Sequence, residues 1–236
     1  MCGRYVLSSS GEQLSEHFNV PLPSWYRASF NMAPSQSVPV FHYQGREAVF
    51  SKMTWGLTPS WAKKNVGPRG GVRLPTFINA RSETAWEKAS FRNAFRYGRV
   101  LVPGTAFYEW KNDPEGSKQA HAVQLKNGQL FAMAGLWEAW RGEDGEARAG
   151  VAILTTIAST DVRFLHDRMP VMMHPDHYRD WMNPDASLEQ LQRLMQSTPP
   201  GLLRVFPVSN RVNHVAENDA DLILPIAPKG AAGSDE

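Results

Sequence analysis

A single mixed domain rich in β-strand is what this sequence predicts, on three observations. At 236 residues the chain has a length that one β-rich domain often reaches. Short apolar runs bounded by Gly, Pro and Asn recur along it, while amphipathic helical patterns are few and brief. No internal repeat or linker divides it, and the Gly-rich loop at 67–71 is too short to separate domains.

Taken in order, Tyr5-Val6-Leu7 reads as a short strand leading away from the front of the chain. Ser9-Ser10-Gly11-Glu12 has capping-box spacing, and Leu14 and Phe18 lie four apart, so a short helix follows. Ser37 to Tyr43 and Ala48 to Trp55 predict a hairpin around Gln44-Gly45. Beyond Thr84 a helical pattern carries Trp86, Phe91 and Phe95, and Asn79 is expected near the mouth of that helix, where amide N–H groups favour an anion. Val100 to Gly104 is a buried strand that ends at Pro103-Gly104, and Ala106 to Trp110 continues as another. His121 to Leu125 and Gln129 to Trp137 flank Asn127-Gly128, the strongest hairpin signal in the chain. The apolar run Val151 to Ile157 predicts a central strand. Ser159 to Phe164 is a helical turn, and a helix start follows Pro175. Ser187 to Gln196 is an amphipathic helix with Leu188, Leu191, Leu194 and Met195 inward, and Leu203 to Val208 is a late strand. A domain over 2–226 and a loose, disordered tail at 227–236 are expected.

Composition excludes several classes. Hydrophobic content of 42% and charged content of 20% are globular values, and eight Trp with eleven Phe supply bulk for a core. No apolar run approaches membrane-spanning length, and Met1-Cys2-Gly3-Arg4 does not start a signal peptide. One cysteine excludes an internal disulfide and a Cys-rich zinc site. His174-Pro175-Asp176-His177 offers too few ligands for a metal, and a helix start explains it better; no metal or cofactor is expected. The net charge of +2 does not announce a nucleic-acid binder. The basic residues are 17 Arg against 8 Lys, which suits phosphate forks and base stacking, or reflects an arginine-rich surface.

The chemistry-bearing residues are scattered. Cys2 is the only cysteine and stands directly behind Met1. It is a small apolar strand residue or, once Met1 is removed, a 1,2-aminothiol whose amine and thiol act on one carbonyl. Trp55 and Trp61 flank a Gly/Pro turn that runs into Lys63-Lys64 and a basic loop to Arg73. They anchor the loop to the core or stack on single-stranded bases. Glu109, between aromatics, points into water by strand alternation or is buried with a raised pKa as an acid. His166, beside Asp167 and Arg168, is a surface turn residue or a proton shuttle.

Cys2-Gly3-Arg4, Asn31 with Ala33-Pro34, Trp55-Gly56 with Pro59 and Trp61, Asn79-Ala80-Arg81 with Glu83-Thr84, Phe107-Tyr108-Glu109-Trp110, His166 to Pro170 and Pro207-Val208-Ser209 occur in that order. With Arg99 and Pro103, this set closely resembles the SOS-response-associated peptidase family, which crosslinks to abasic sites in single-stranded DNA. The match runs over about residues 2 to 225. The resemblance implies an α+β single domain with a β-rich, barrel-like core and peripheral helices. It implies Cys2, Asn79, Glu109 and His166 as catalytic residues. Arg4, Arg81 and Arg168 would clamp phosphates, while Asn31, Pro34, Trp61, Thr155 and Ser209 would line the DNA groove. Where some relatives carry a second Trp, this chain has Ala62.

The implied activity is a thiazolidine crosslink between Cys2 and the abasic sugar, with a lyase side reaction and loss of Met1 by autoproteolysis or an aminopeptidase. Single-stranded DNA with abasic sites is then the partner, the protein a cytoplasmic monomer, nucleoid-associated when bound. Two other readings stand beside it: a cysteine peptidase built on Cys2 and His166 with Asp167, and a non-covalent single-strand binder in which Cys2 is incidental.

Overall fold

The computed structural model describes residues 2–62, 65–66, 72–112, 116–141 and 145–227. The front of the chain forms β1 (Tyr5–Leu7), α1 (Gly11–Phe18), β2 (Ser29–Met32), β3 (Ser37–Gln44) and β4 (Glu47–Trp55). Two minimal strands, β5 (Asn65–Val66) and β6 (Val72–Arg73), precede β7 (Asn79–Arg81) and α2 (Arg92–Tyr97). The middle is continuous sheet: β8 (Arg99–Gly104), β9 (Ala106–Asn112), β10 (Lys118–Leu125), β11 (Phe131–Arg141) and β12 (Ala147–Ile157). Then come β13 (Arg168–Pro170), β14 (Met172–Met173), α3 (Tyr178–Met182), α4 (Leu188–Leu194) and β15 (Leu203–Pro207).

Five of these strands close on themselves. β4 pairs with β3, β3 with β8, β8 with β11 and β11 with β12, all antiparallel, and β12 returns to β4 in parallel. Closure removes the free edges that an open sheet of this size would leave. It also explains why β8 is buried along its whole length and β12 from Gly150 to Thr156. The parallel seam is tight: a Cβ on Gly150 would lie 2.4 Å from the carbonyl oxygen of Gly56. Gly56 itself has φ +149, a conformation that side chains rarely adopt, and its N–H donates to the Val151 oxygen at 2.8 Å.

A second, five-stranded sheet runs in the order β15-β10-β9-β1-β2. The chain enters it directly from the barrel at Thr105, whose N–H donates to the Val6 oxygen at 2.7 Å. Alternation along the strands sorts its side chains to two sides. Tyr5, Leu7, Phe107 and Val123 join the main core, while Val6, Ala106, Tyr108 and Phe206 build a smaller one on the far side.

The single β-rich α+β domain with a barrel core is therefore as predicted, and so is the hairpin around Gln44-Gly45. The first helix is capped one residue later than expected, by Ser10 with Gln13. Three expectations fail. Asn127-Gly128 does turn the chain, with Gly128 at φ +68, but β10 and β11 do not pair with each other. The turn hands the chain from the second sheet to the barrel, because β10 is already paired with β9 and β15, and β11 with β8, β12 and β14. The helix through Trp86 is a run of turns with regular helix only over Arg92–Tyr97, so Asn79 lies on strand β7 and not at a helix mouth. Leu188 is exposed, since α4 starts there and only Leu191 on it is fully covered. The tail from 228 on, Lys63-Lys64 and the loop at 67–71 lie outside the described residues. Among the described residues no helix is long and apolar enough to cross a membrane.

Candidate active site

The site is assembled where the barrel meets the second sheet. β1 is paired on both sides, Tyr5 with Phe107 on β9 and with Met32 on β2, and the Tyr108 N–H donates to the Arg4 oxygen at 2.9 Å. Cys2 extends from this strand and is fully buried. Its backbone carbonyl accepts a 2.9 Å hydrogen bond from Asn79 Nδ2. Asn79 is aligned by parallel pairing of β7 with β12, Asn79 opposite Ile153. Its other amide atom, Oδ1, is buried without a partner among the described residues. A buried acceptor left open costs about 1–3 kcal/mol, so a donor from outside the fold would be welcome there.

Glu109 is only 3% exposed. Alternation along β9 puts it on the side of Phe107, facing the main core, while Trp110 turns to the other side and donates to Asn213 Oδ1. The expectation that alternation leads Glu109 into water therefore fails: both sides of this sheet are covered. Carrying the β1–β9 register two residues beyond Tyr5–Phe107 sets Gly3 across from Glu109. Burial pushes the Glu109 carboxyl above its ordinary value, against the positive charges of the N-terminal amine and His166. Burial also pushes the Cys2 thiol far up, with the Glu109 charge adding to it. The thiol in this state is neutral, its Sγ 3.8 Å from the Arg4 oxygen. The Tyr5 hydroxyl, on the next inward side chain, is buried without a partner among the described residues.

His166 closes the turn before β13. Its Nδ1 accepts from the Arg168 N–H at 2.9 Å and lies 2.7 Å from Asp167 Oδ1. The Nδ1 thus stands between a backbone donor and a carboxylate.

The groove residues implied by the resemblance fall into two groups. Trp61 is 56% exposed, and its indole Nε1 donates to Ala89 O at 3.1 Å, so the ring is fixed but uncovered. The loop beneath it is tied down by Ser60, which donates to buried Glu138 at 2.6 Å. Arg81 is exposed, and Pro34 and Ser209 are half-buried. Arg4, by contrast, donates to Asn31 Oδ1 and the Val212 and Asn213 oxygens, and buried Asn31 donates to the Val212, His214 and Glu217 oxygens. Together they brace the C-terminal segment. Thr155 is buried beside Arg168, which forks onto both oxygens of Glu83 at 2.7 and 2.8 Å. Of the tryptophan pair, Trp55 is wholly buried and bonds the Ile78 oxygen.

Sequence reasoning missed Glu83 as the partner of Arg168, Glu138 as the anchor under Trp61, and the Tyr5 hydroxyl. Glu83 had a signal, its place two residues after Arg81 in the Asn79–Thr84 motif; the other two had none.

The sequence over residues 1–215 matches the family described as SOS response associated peptidase (SRAP). The abasic site processing protein YoqW of Bacillus subtilis is 36% identical over 227 residues, covering 94% of this chain and 99% of that one. YedK of Escherichia coli, of the same description, is 27% identical over 96% of this chain and its own full length. HMCES of Gallus gallus is 27% identical over 96% of this chain and 78% of its own. A crystal structure of a protein from Bacteroides thetaiotaomicron superposes with a TM-score of 0.82 at 20% identity, over 96% of this chain and all of that one, and shares the fold.

Proposed function

The chain belongs to the SOS response associated peptidase family, and on that premise we propose that it captures abasic sites in single-stranded DNA through Cys2. The observation that carries this reading is the bond from Asn79 to the Cys2 carbonyl, which fixes the backbone of the one residue whose amine and thiol can both react.

Loss of Met1, by the chain's own action or an aminopeptidase, frees the Cys2 α-amine. With an ordinary pKa of about 8, part of it is neutral near pH 7. An abasic deoxyribose in its open form presents an aldehyde, and the amine adds to it to give a carbinolamine. Glu109, its carboxyl pushed upward by burial, would in its protonated form give the proton to the hydroxyl, which leaves as water, and an iminium remains. The Cys2 thiol adds to the iminium carbon, closing a five-membered thiazolidine, and its proton returns to Glu109. Aldehyde and aminothiol thus give thiazolidine and one water. A neutral thiol suits this order, because it leaves the amine to attack first.

Asn79 Oδ1 would accept from the amine and orient it. His166 would move protons at the sugar as its ring opens or the adduct reverses. Where thiol addition lags, β-elimination from the iminium breaks the strand, a lyase side reaction. Trp61 and Arg81 are exposed to meet the strand directly, while Arg168 would share its fork between Glu83 and a phosphate. Arg4, Asn31, Pro34, Thr155 and Ser209 shape the groove wall around them. The protein acts as a cytoplasmic monomer in this reading.

The test is a denaturing gel of the processed protein with an abasic single-stranded oligonucleotide. A shifted band that Cys2→Ala abolishes is expected. No denaturant-resistant band, with Met1 absent by mass spectrometry, overturns the reading. Equal, salt-reversible binding of intact and abasic strands would leave a simple single-strand binder in its place.

A further inference from the structure

The strand row that carries Glu109 continues outward to a cluster that the chemistry above does not use. Side chains on one side of β9 run Phe107, Glu109, Lys111, passing from core to solvent. His121 on β10 lies directly opposite Glu109 and shares that side. Over this row sits Phe164, 56% exposed, two residues before His166. The Lys111 Nζ is 5.8 Å from its ring centroid, and the His121 ring meets it edge-on at 6.3 Å and 88°. The turn beneath is rigid: Val162 is buried, and the Leu165 N–H donates to the Val162 oxygen at 2.8 Å.

An exposed phenyl ring on a fixed turn, beside a cation and touching the histidine that lies opposite Glu109, has the parts of a base-stacking platform. Two carboxylates flank this turn, and each already has partners within the fold. Asp161 accepts from the Gly201 and Leu203 N–H groups, and Asp167 is held at His166. Trp61 stands on a separate loop tied to Ala89 and Glu138. We propose that Phe164, with Lys111 and His121, is a second stacking subsite that takes a base adjacent to the lesion in single-stranded DNA, Lys111 meeting the neighbouring phosphate. This rests on the abasic-site reading.

The test measures fluorescence anisotropy of labelled single strands carrying tetrahydrofuran, an abasic analogue without an aldehyde, at the lesion position. Phe164→Leu keeps an apolar side chain and removes the π face. Loss of one stacked base corresponds to about fivefold weaker binding or more. That loss should vanish on one strand of a series in which each flanking base is removed in turn. Phe164→Trp should bind as tightly as the parent, and Lys111→Ala should lower the salt slope by about one. Phe164→Leu binding every strand like the parent, or losing equally on all of them, overturns the subsite. If the parent also forms crosslinks on aldehyde-bearing strands, only the subsite has failed; a parent that neither binds nor crosslinks brings down both readings.

Discussion

The side-chain amide of Asn79 holds the carbonyl oxygen of Cys2 at 2.9 Å, across 77 residues of sequence. The bond joins the barrel side of the molecule to the segment that leads into β1. Asn79→Ala should slow crosslinking about tenfold, the worth of one hydrogen bond in a site where orientation limits the rate. Affinity for undamaged single strands should change little. Rates from denaturing gels and affinities from anisotropy separate the two, and a parallel loss in both would make Asn79 a structural brace only.

Glu109 links the site to pH. Its folded-state value is raised by burial above the ordinary carboxylate value. The stability tied to its proton is complete below the unfolded value and is lost as pH rises through the folded one. Glu109→Gln does not titrate, so its melting temperature should gain on that of the parent as pH rises from about 4.5 toward neutrality. The same variant should form adduct much more slowly while binding strands normally. A melting difference that stays flat with pH would remove the case for a buried, protonated acid.

Trp61 is fixed by its indole nitrogen yet more than half exposed. Trp61→Ala should weaken single-strand binding by roughly fivefold or more, the range of one stacked base. The denaturation midpoint should move little, because few core contacts are lost. Unchanged affinity would leave Trp61 without a part in binding.

Gly150 faces the Gly56 carbonyl across the parallel seam of the barrel. A methyl group there meets backbone, which has no rotamer to yield. Gly150→Ala should cost about 3 kcal/mol, read as a melting temperature lower by roughly 6–12 °C. A variant as stable as the parent would mean that the seam can open without penalty.

Local signals served the sequence well where one partner was enough. The cap at Ser10, the turn at Gly45 and the apolar run of β12 all depend on neighbours in sequence. They failed where the fold chose between two long-range partners. Asn127-Gly128 turns the chain as its type demands, but each flanking strand is claimed by a different sheet. Asn79 stands before a stretch with helical spacing, yet β12 offers it a ladder. In the site, motif context brought forward Cys2, Asn79, Glu109 and His166. It could not tell that Arg4 and Asn31 are spent on bracing residues 212–217, because those acceptors are backbone oxygens nearly two hundred residues away.

The described bonds that secure the front of the chain begin at the Cys2 carbonyl and the Arg4 oxygen and continue through Tyr5. Under the proposed chemistry, the protein is then a latent reagent: its scaffold can be finished, checked and stored before its warhead exists. Clipping one residue would arm it with these bonds already in place, so reactivity could be timed separately from synthesis.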